Sequence, residues 1–246
     1  FIHAGNIYAQ HKVSFSIVPT LGFNNNRSTL LNNDKGNNYN IFHHTTYTKG
    51  LHATLGIQAQ VLRDWSIAFK YGITHFGGAY IWSTKENQNG ASAYTSYGED
   101  LKQFAAQAEY TFYHFQIKRG YLNNWGLTLQ AGCGFNYSYI YRVNQSDTPV
   151  LLPTISIANT LNTLGYEVQT AKGAMGINVG LNAQFTYKNH KWLKFGVWYN
   201  YIPKPPVYYD FELENLITGD IDQFRLKVTQ HQFLFFLEFP IKLFSL

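Results

Sequence analysis

The sequence is poor in charge and in cysteine, and it has no long apolar run. Only 13 % of its 246 residues are charged, whereas soluble domains carry about a quarter. The single cysteine, Cys133, excludes an intrachain disulfide framework. No stretch approaches the roughly 18 consecutive apolar residues of a transmembrane helix. These absences exclude a disulfide-rich domain and a membrane protein that spans with helices.

Aromatic residues are abundant, at 17 % of the chain, and apolar residues alternate with polar ones. The clearest stretch begins at Met175, after which every second residue is apolar as far as Tyr187. The residues between them are glycine, asparagine, glutamine and threonine. A period of two residues is typical of β-strands that have one apolar and one polar face.

The alternation recurs in eight segments, which we predict to be strands. They are residues 13–23, 51–61, 65–74, 103–112, 125–141, 175–188, 193–201 and 232–242. The phase is lost after Tyr113, which we interpret as a bulge. Short turns at 63–64, 118–124 and 188–191 alternate with long connections at 24–50, 81–101, 143–173 and 202–224. This alternation of lengths predicts an antiparallel up-and-down meander.

The two faces of these strands differ in size as well as in polarity. The apolar face carries Leu, Ile, Phe, Tyr and Trp, and the polar face carries Gly, Ser, Thr, Asn and Gln. The interior of an eight-stranded barrel is narrow, so the small residues belong inside and the bulky ones outside. Tryptophans cluster near the short turns and tyrosines near the long connections, as in the aromatic girdles of transmembrane barrels. The sequence therefore predicts an all-β, eight-stranded antiparallel transmembrane β-barrel.

On these strands the chain resembles the OmpA/OmpX-type eight-stranded outer-membrane barrels, over residues 13–246. Its last segment, FLFFLEFPIKLFSL, is similar to the C-terminal strand of such proteins, although it ends in Leu246 rather than an aromatic residue. The resemblance implies the outer membrane of a Gram-negative bacterium, periplasmic termini and four long extracellular loops. Because the sequence stops with the eighth strand, we expect no OmpA-like peptidoglycan-binding domain. We expect residues 1–11 to be a periplasmic lead-in or a signal remnant, and residues 12–246 to form the barrel.

Four charged residues fall on the polar side of the alternation, which faces the lumen. They are Lys70, Glu109, Lys194 and Glu238. A charge in a narrow lumen needs a partner, because its desolvation alone is costly. Two lysines and two glutamates therefore predict a salt-bridged plug. The alternative is a narrow gated ion channel that runs through the same charges.

An enzyme that modifies lipid A is a second alternative, since similar barrels act on that lipid. The candidate residues are His75, His114 and His231, but no spacing motif joins them to a nucleophile. The adjacent His43 and His44 would point to opposite faces of a strand, which argues against a metal site. We predict no catalytic activity, no metal and no cofactor.

The third and fourth long connections carry apolar and aromatic residues that are unusual for solvated loops. They are Val150, Leu151, Leu152, Ile155, Ile157, Leu161 and Leu164 in the third, and Tyr208, Tyr209 and Phe211 in the fourth. This surface either caps the barrel mouth or docks on a partner. We predict a structural or accessory subunit that binds a partner membrane protein or a surface ligand, within a secretion, uptake or assembly complex.

Basic residues gather near the ends of strands on the long-connection side. They are Lys49, Arg142, Lys172, Lys204, Arg225 and Lys227. Such a rim would bind the phosphates of lipopolysaccharide; the alternative is simple solvation of the strand ends. A nucleic-acid partner is excluded, because the basic residues form no patch beyond this rim.

Overall fold

The computed structural model describes residues 13–32, 41–45, 48–84, 93–116, 124–140, 161–170, 173–188, 190–204 and 207–245. The expected lead-in, residues 1–11, lies outside these ranges. So do Arg142, Lys172, and Val150, Leu151, Leu152, Ile155 and Ile157 of the third connection. No helix within these ranges is long and apolar enough to cross a membrane.

Thirteen β-strands are found in the described residues. They are β1 (Ser14–Ile17), β2 (Thr20–Asn32), β3 (Ile41–Thr45), β4 (Thr48–Gln60), β5 (Trp65–Thr84), β6 (Ala93–Gln116), β7 (Trp125–Ile140), β8 (Leu161–Thr170), β9 (Ala174–Tyr187), β10 (His190–Tyr201), β11 (Val207–Asn215), β12 (Ile221–Glu238) and β13 (Ile241–Ser245).

The strands close into an antiparallel barrel with eight wall positions. The wall runs β2, β4, β5, β6, β7, β9, β10 and β12, and β12 pairs again with β2. Short β1 continues the wall position of β2, and β13 continues that of β12. The predicted all-β, eight-stranded barrel is therefore confirmed.

Two prolines break the first and last wall positions at the same height. Pro19 separates β1 from β2, and Pro240 separates β12 from β13. Proline cannot donate to a ladder, so regular pairing is interrupted there. A backbone hydrogen bond connects the two breaks, from the Phe239 amide to the Pro19 carbonyl at 3.1 Å.

The barrel has two unlike ends. At the turn end, which holds the tight connections, the Thr111 amide donates to the Asp64 carbonyl at 2.7 Å. The Lys188 amide donates to the Asn124 carbonyl at 2.7 Å, with Lys188 in the left-handed region at φ 48°. A bulge lies here too, as a register shift between Thr111 and Tyr113, just before the position predicted from the sequence. We call the opposite end the extended end.

The wall is apolar outside and polar inside, the inverse of a soluble protein. Leu51 is 75 % exposed and Leu181 63 %, while Gln58 and Asn178 are 2 % exposed. Paired aromatic rings border this apolar belt at both ends: Trp125 and Trp192 lie 5.5 Å apart at the turn end, and Tyr71 and Phe104 4.5 Å apart towards the other. Exposing so much apolar surface is favourable only in hydrocarbon.

The extended end contains more strand than the sequence predicted. β5 and β6 run for 20 and 24 residues and pair along their length, and β3 adds to the edge of β5. β8 and β11 pair with each other, and β11 pairs with the start of β12. Alternation did not reveal these strands, because beyond the membrane neither face needs to be uniformly apolar.

Candidate functional site: the lumen and the extended end

The four inward charges meet in the lumen and form a cluster. The Nζ of Lys194 lies 2.9 Å from both carboxylate oxygens of Glu109 and 2.7 Å from Oε1 of Glu238. Lys70 also donates to Glu238. Lys194 and Glu238 are directly opposite in the register of β10 and β12, whereas Lys70 and Glu109 reach in from β5 and β6. We call these four residues the charge cluster.

Neutral side chains add hydrogen bonds to the cluster. Glu109 accepts from Gln58 at 2.8 Å and from Asn182 at 2.9 Å. Glu238 accepts from Thr20 at 3.2 Å. The cluster has no net charge, and all its members are at most 7 % exposed. Paired in this way, buried charges avoid most of the cost of leaving water.

Above the charge cluster, towards the extended end, the lumen is filled by Trp198, Leu234 and Phe236, which we call the apolar layer. Trp198 is 1 % exposed. Its ring lies over two glycines on β9 and β7, the next two strands around the wall. A Cβ at Gly132 would lie 2.6 Å from Cη2 of the indole, and one at Gly180 would lie 2.5 Å from Cδ2, so only glycine leaves room for the ring.

The apolar layer and the charge cluster are in contact. The Nζ of Lys70 lies 5.4 Å from the centroid of the Phe236 ring, within the range of a cation–π interaction. A cavity of about 20 Å³ next to Trp198, Lys70 and His52 is large enough for about one water molecule. The middle of the lumen is thus packed in two layers, one ionic and one apolar.

The three candidate catalytic histidines lie at different places and have different partners. His114, at the turn end, lies 2.9 Å from Asp64. His75, at the extended end, lies 2.8 Å from Asp100. His231 accepts or donates a hydrogen bond of 2.6 Å with the hydroxyl of Tyr199. Among the residues with described positions, no three histidine, cysteine or acidic side chains are grouped to hold a metal.

Half of the predicted docking residues fall on paired strands at the extended end. Leu161 and Leu164 lie on β8, and Tyr208, Tyr209 and Phe211 lie on β11. Leu164 is at a register shift between the two strands. We call β8, β11 and the paired part of β12 the extended sheet.

One side of the extended sheet carries charged side chains in defined pairs. Arg225 donates from Nε and Nη2 to the two carboxylate oxygens of Asp210, each at 2.7 Å. Gln223 donates to Glu212 at 2.6 Å. The Arg225 guanidinium also lies 6.0 Å from the Tyr208 ring. A bidentate pair of this kind fixes geometry as well as charge.

The predicted basic rim is only partly described. Lys49 and Lys204 are exposed at the extended end. Arg225 is bound by Asp210, so part of its charge is already balanced. Lys227 lies on β12, opposite Tyr208 of β11 in the register.

The alternation of inward and outward positions along the strands identifies the four inward charges, but it predicts a lumen that is polar throughout. Trp198, Leu234 and Phe236 alternate in the same inward phase, and in the structure they form a separate layer. A usable signal was the inward row of glycines on the two preceding strands. Glycines that face the lumen beside an inward tryptophan leave room for its ring, so they indicate where the ring lies.

The fold and its apolar belt define this chain as a transmembrane β-barrel. It superposes on the crystal structure of the outer membrane protein OprG from Pseudomonas aeruginosa with a TM-score of 0.51 at 12 % identity, over 94 % of this chain and 97 % of that one. The fold is therefore that of an outer-membrane barrel.

Two further solved structures are more distant in shape. Neisserial surface protein A gives a TM-score of 0.35 at 12 % identity, over 91 % of this chain and 96 % of that one. The outer membrane protein AlkL, determined in lipid bilayers, gives 0.36 at 12 % identity, over 99 % and 96 %. No protein-family model matches the sequence, and no curated protein matches it.

Proposed function

We propose that this chain is a closed barrel of the Gram-negative outer membrane that acts as a structural or accessory subunit. It binds a partner protein or a surface ligand through its extended end. The observation that carries the proposal is the filled lumen, with the charge cluster below and the apolar layer above. A barrel with packed side chains across the middle of its lumen is expected to work through its surfaces.

The extended sheet is the surface that best supports partner binding. It places strands on a rigid wall instead of on free loops, since β12 runs from the sheet directly into the barrel. Such a sheet offers an ordered main chain and fixed charge pairs, which favour specific recognition. The proposal includes no catalytic activity, because the candidate histidines have acidic or phenolic partners at opposite ends of the barrel.

The proposed orientation places both termini and the turn end in the periplasm. The extended end then faces outwards, and exposed Lys49 and Lys204 lie where lipopolysaccharide phosphates would be. Cations near an anionic leaflet contribute about 1 kcal/mol each to attraction. Lipopolysaccharide is therefore the lipid partner in the proposal.

Photo-crosslinking in intact cells tests the docking surface. A photoreactive amino acid at Glu212 or Gln223, both exposed on the extended sheet, is expected to give one discrete adduct. The matched control is the same amino acid at Lys242, which is exposed on β13 at the turn end. Deletion of residues 150–164 is expected to remove the adduct while the barrel still shows its folded, heat-modifiable mobility in SDS gels.

Two outcomes would count against docking. One is a pattern of adducts that is the same at Glu212 and at Lys242. The other is a deletion variant that folds and keeps its adduct in full.

A further inference from the structure

The turn end contains a cavity that the proposed function does not use. It has a volume of about 510 Å³ and lies between the turns and the charge cluster, with walls from β4, β5, β6, β7, β9 and β10. This size is within the usual range for small-molecule sites. We call it the turn-end vestibule.

Two buried glutamines that line the vestibule each have a polar atom without a hydrogen-bond partner among the described residues. Gln130 and Gln184 are 4 % and 1 % exposed. The Nε2 of Gln130 donates to Thr111 at 3.2 Å, which holds the amide in place. Among the described residues, its Oε1 and the Nε2 of Gln184 have no hydrogen-bond partner. One atom accepts and the other donates, so a single hydroxyl group would match both.

The charges at the vestibule favour an anion. Arg63 and Lys191 contribute two cations to its lining. Asp64 contributes one carboxylate, which His114 already contacts at 2.9 Å. The charge cluster beyond the vestibule is neutral. A cavity lined with an excess of one charge concentrates ligands of the opposite sign.

The walls of the vestibule are held by backbone hydrogen bonds. The turn before β5 is tied to β6 through Thr111 and Asp64, and the turn before β10 is tied to the start of β7 through Lys188 and Asn124. The polar groups therefore sit on fixed strands and turns. A ligand would not have to order them, which lowers the cost of binding.

We propose that the turn-end vestibule binds a small hydroxycarboxylate. The carboxylate binds at Lys191 and Arg63, near the mouth. A hydroxyl group donates to Oε1 of Gln130 and accepts from Nε2 of Gln184. This pairing distinguishes a hydroxycarboxylate from a neutral polyol, which lacks the charge, and from a simple carboxylate, which lacks the hydroxyl.

Calorimetric titration of the full chain in detergent micelles tests the proposal, with gluconate as the probe. Sorbitol and butyrate serve as the neutral and the unhydroxylated controls, and both are expected to bind at least about tenfold more weakly. Lys191→Gln and Gln184→Leu are each expected to weaken gluconate about tenfold, as the loss of one charge-assisted or buried hydrogen bond predicts. Lys242→Gln, at an exposed lysine of the turn end that does not line the vestibule, should leave the affinity unchanged.

The proposal is overturned if gluconate gives no more heat than sorbitol. It is also overturned if Lys191→Gln and Gln184→Leu, checked for folding by their mobility in gels, both bind gluconate as the wild type does. Equal weakening by Lys242→Gln would show a general charge effect and would also contradict it.

Discussion

Replacing Lys194 with methionine is expected to destabilise the barrel by about 3–5 kcal/mol, the cost of removing one partner from a buried ion pair. Lys194 is 0 % exposed and contacts both carboxylates of the charge cluster. Without it, Lys70 still pairs with Glu238, but Glu109 loses the lysine that contacts both of its carboxylate oxygens. Methionine is close in shape to the lysine stem, so the loss reflects charge rather than volume. Urea unfolding in lipid vesicles, followed by tryptophan fluorescence, measures it.

Two controls separate the charge effect from a general one. Lys204→Met changes an exposed lysine at the extended end, and its effect should be within about 0.5 kcal/mol. The double variant Lys194→Met/Glu109→Gln restores a neutral cluster and should recover about half of the loss, since Lys70 and Glu238 remain paired. A single variant Lys194→Met that unfolds like the wild type would refute the structural importance of the cluster.

Opening the lumen is expected to require changes in both of its layers. Register places Leu234, Trp198, Gly180, Gly132 and Glu109 side by side on five successive wall strands. Trp198→Ala together with Glu109→Ala turns most of this row into small residues and joins the turn-end vestibule to the space above. Planar-bilayer recordings should show discrete conductance for the double variant and a silent wild type.

Each single variant leaves one layer in place and should conduct little. Trp198→Ala alone is expected to cost about 3–5 kcal/mol in stability, as other large buried aromatic truncations do. Trp192→Ala is the matched control, because Trp192 is 57 % exposed on the outer wall. If the wild type conducts as well as the double variant, the lumen is not closed and the gated-channel alternative gains support.

The sequence predicted the barrel well because two constraints act on every wall residue. Lipid selects bulky apolar residues outside, and the narrow lumen selects small or polar residues inside. Alternation therefore placed Leu181 outside and Asn178 inside without any further information. It also identified the four members of the charge cluster, since a charge on the polar face of such a strand has to face inwards.

The pairing within the cluster and the whole extended sheet were beyond the reach of the sequence. Alternation shows which face a residue is on, but not which residue it pairs with on the next strand. The register of β10 and β12 is what brings Lys194 opposite Glu238. Outside the membrane, the constraint that produces alternation is absent. β8 and β11 are therefore recognised from their hydrogen-bonded partners and not from a pattern of residues.

The length of β12 links regions of the molecule that would otherwise be independent. Its 18 residues span about 60 Å at roughly 3.3 Å per residue. Arg225 lies near its outer end, whereas Leu234, Phe236 and Glu238 all lie within its last five residues, at the inner end. A force applied to the extended sheet would therefore be transmitted along β12 to the apolar layer and to the charge cluster in the lumen.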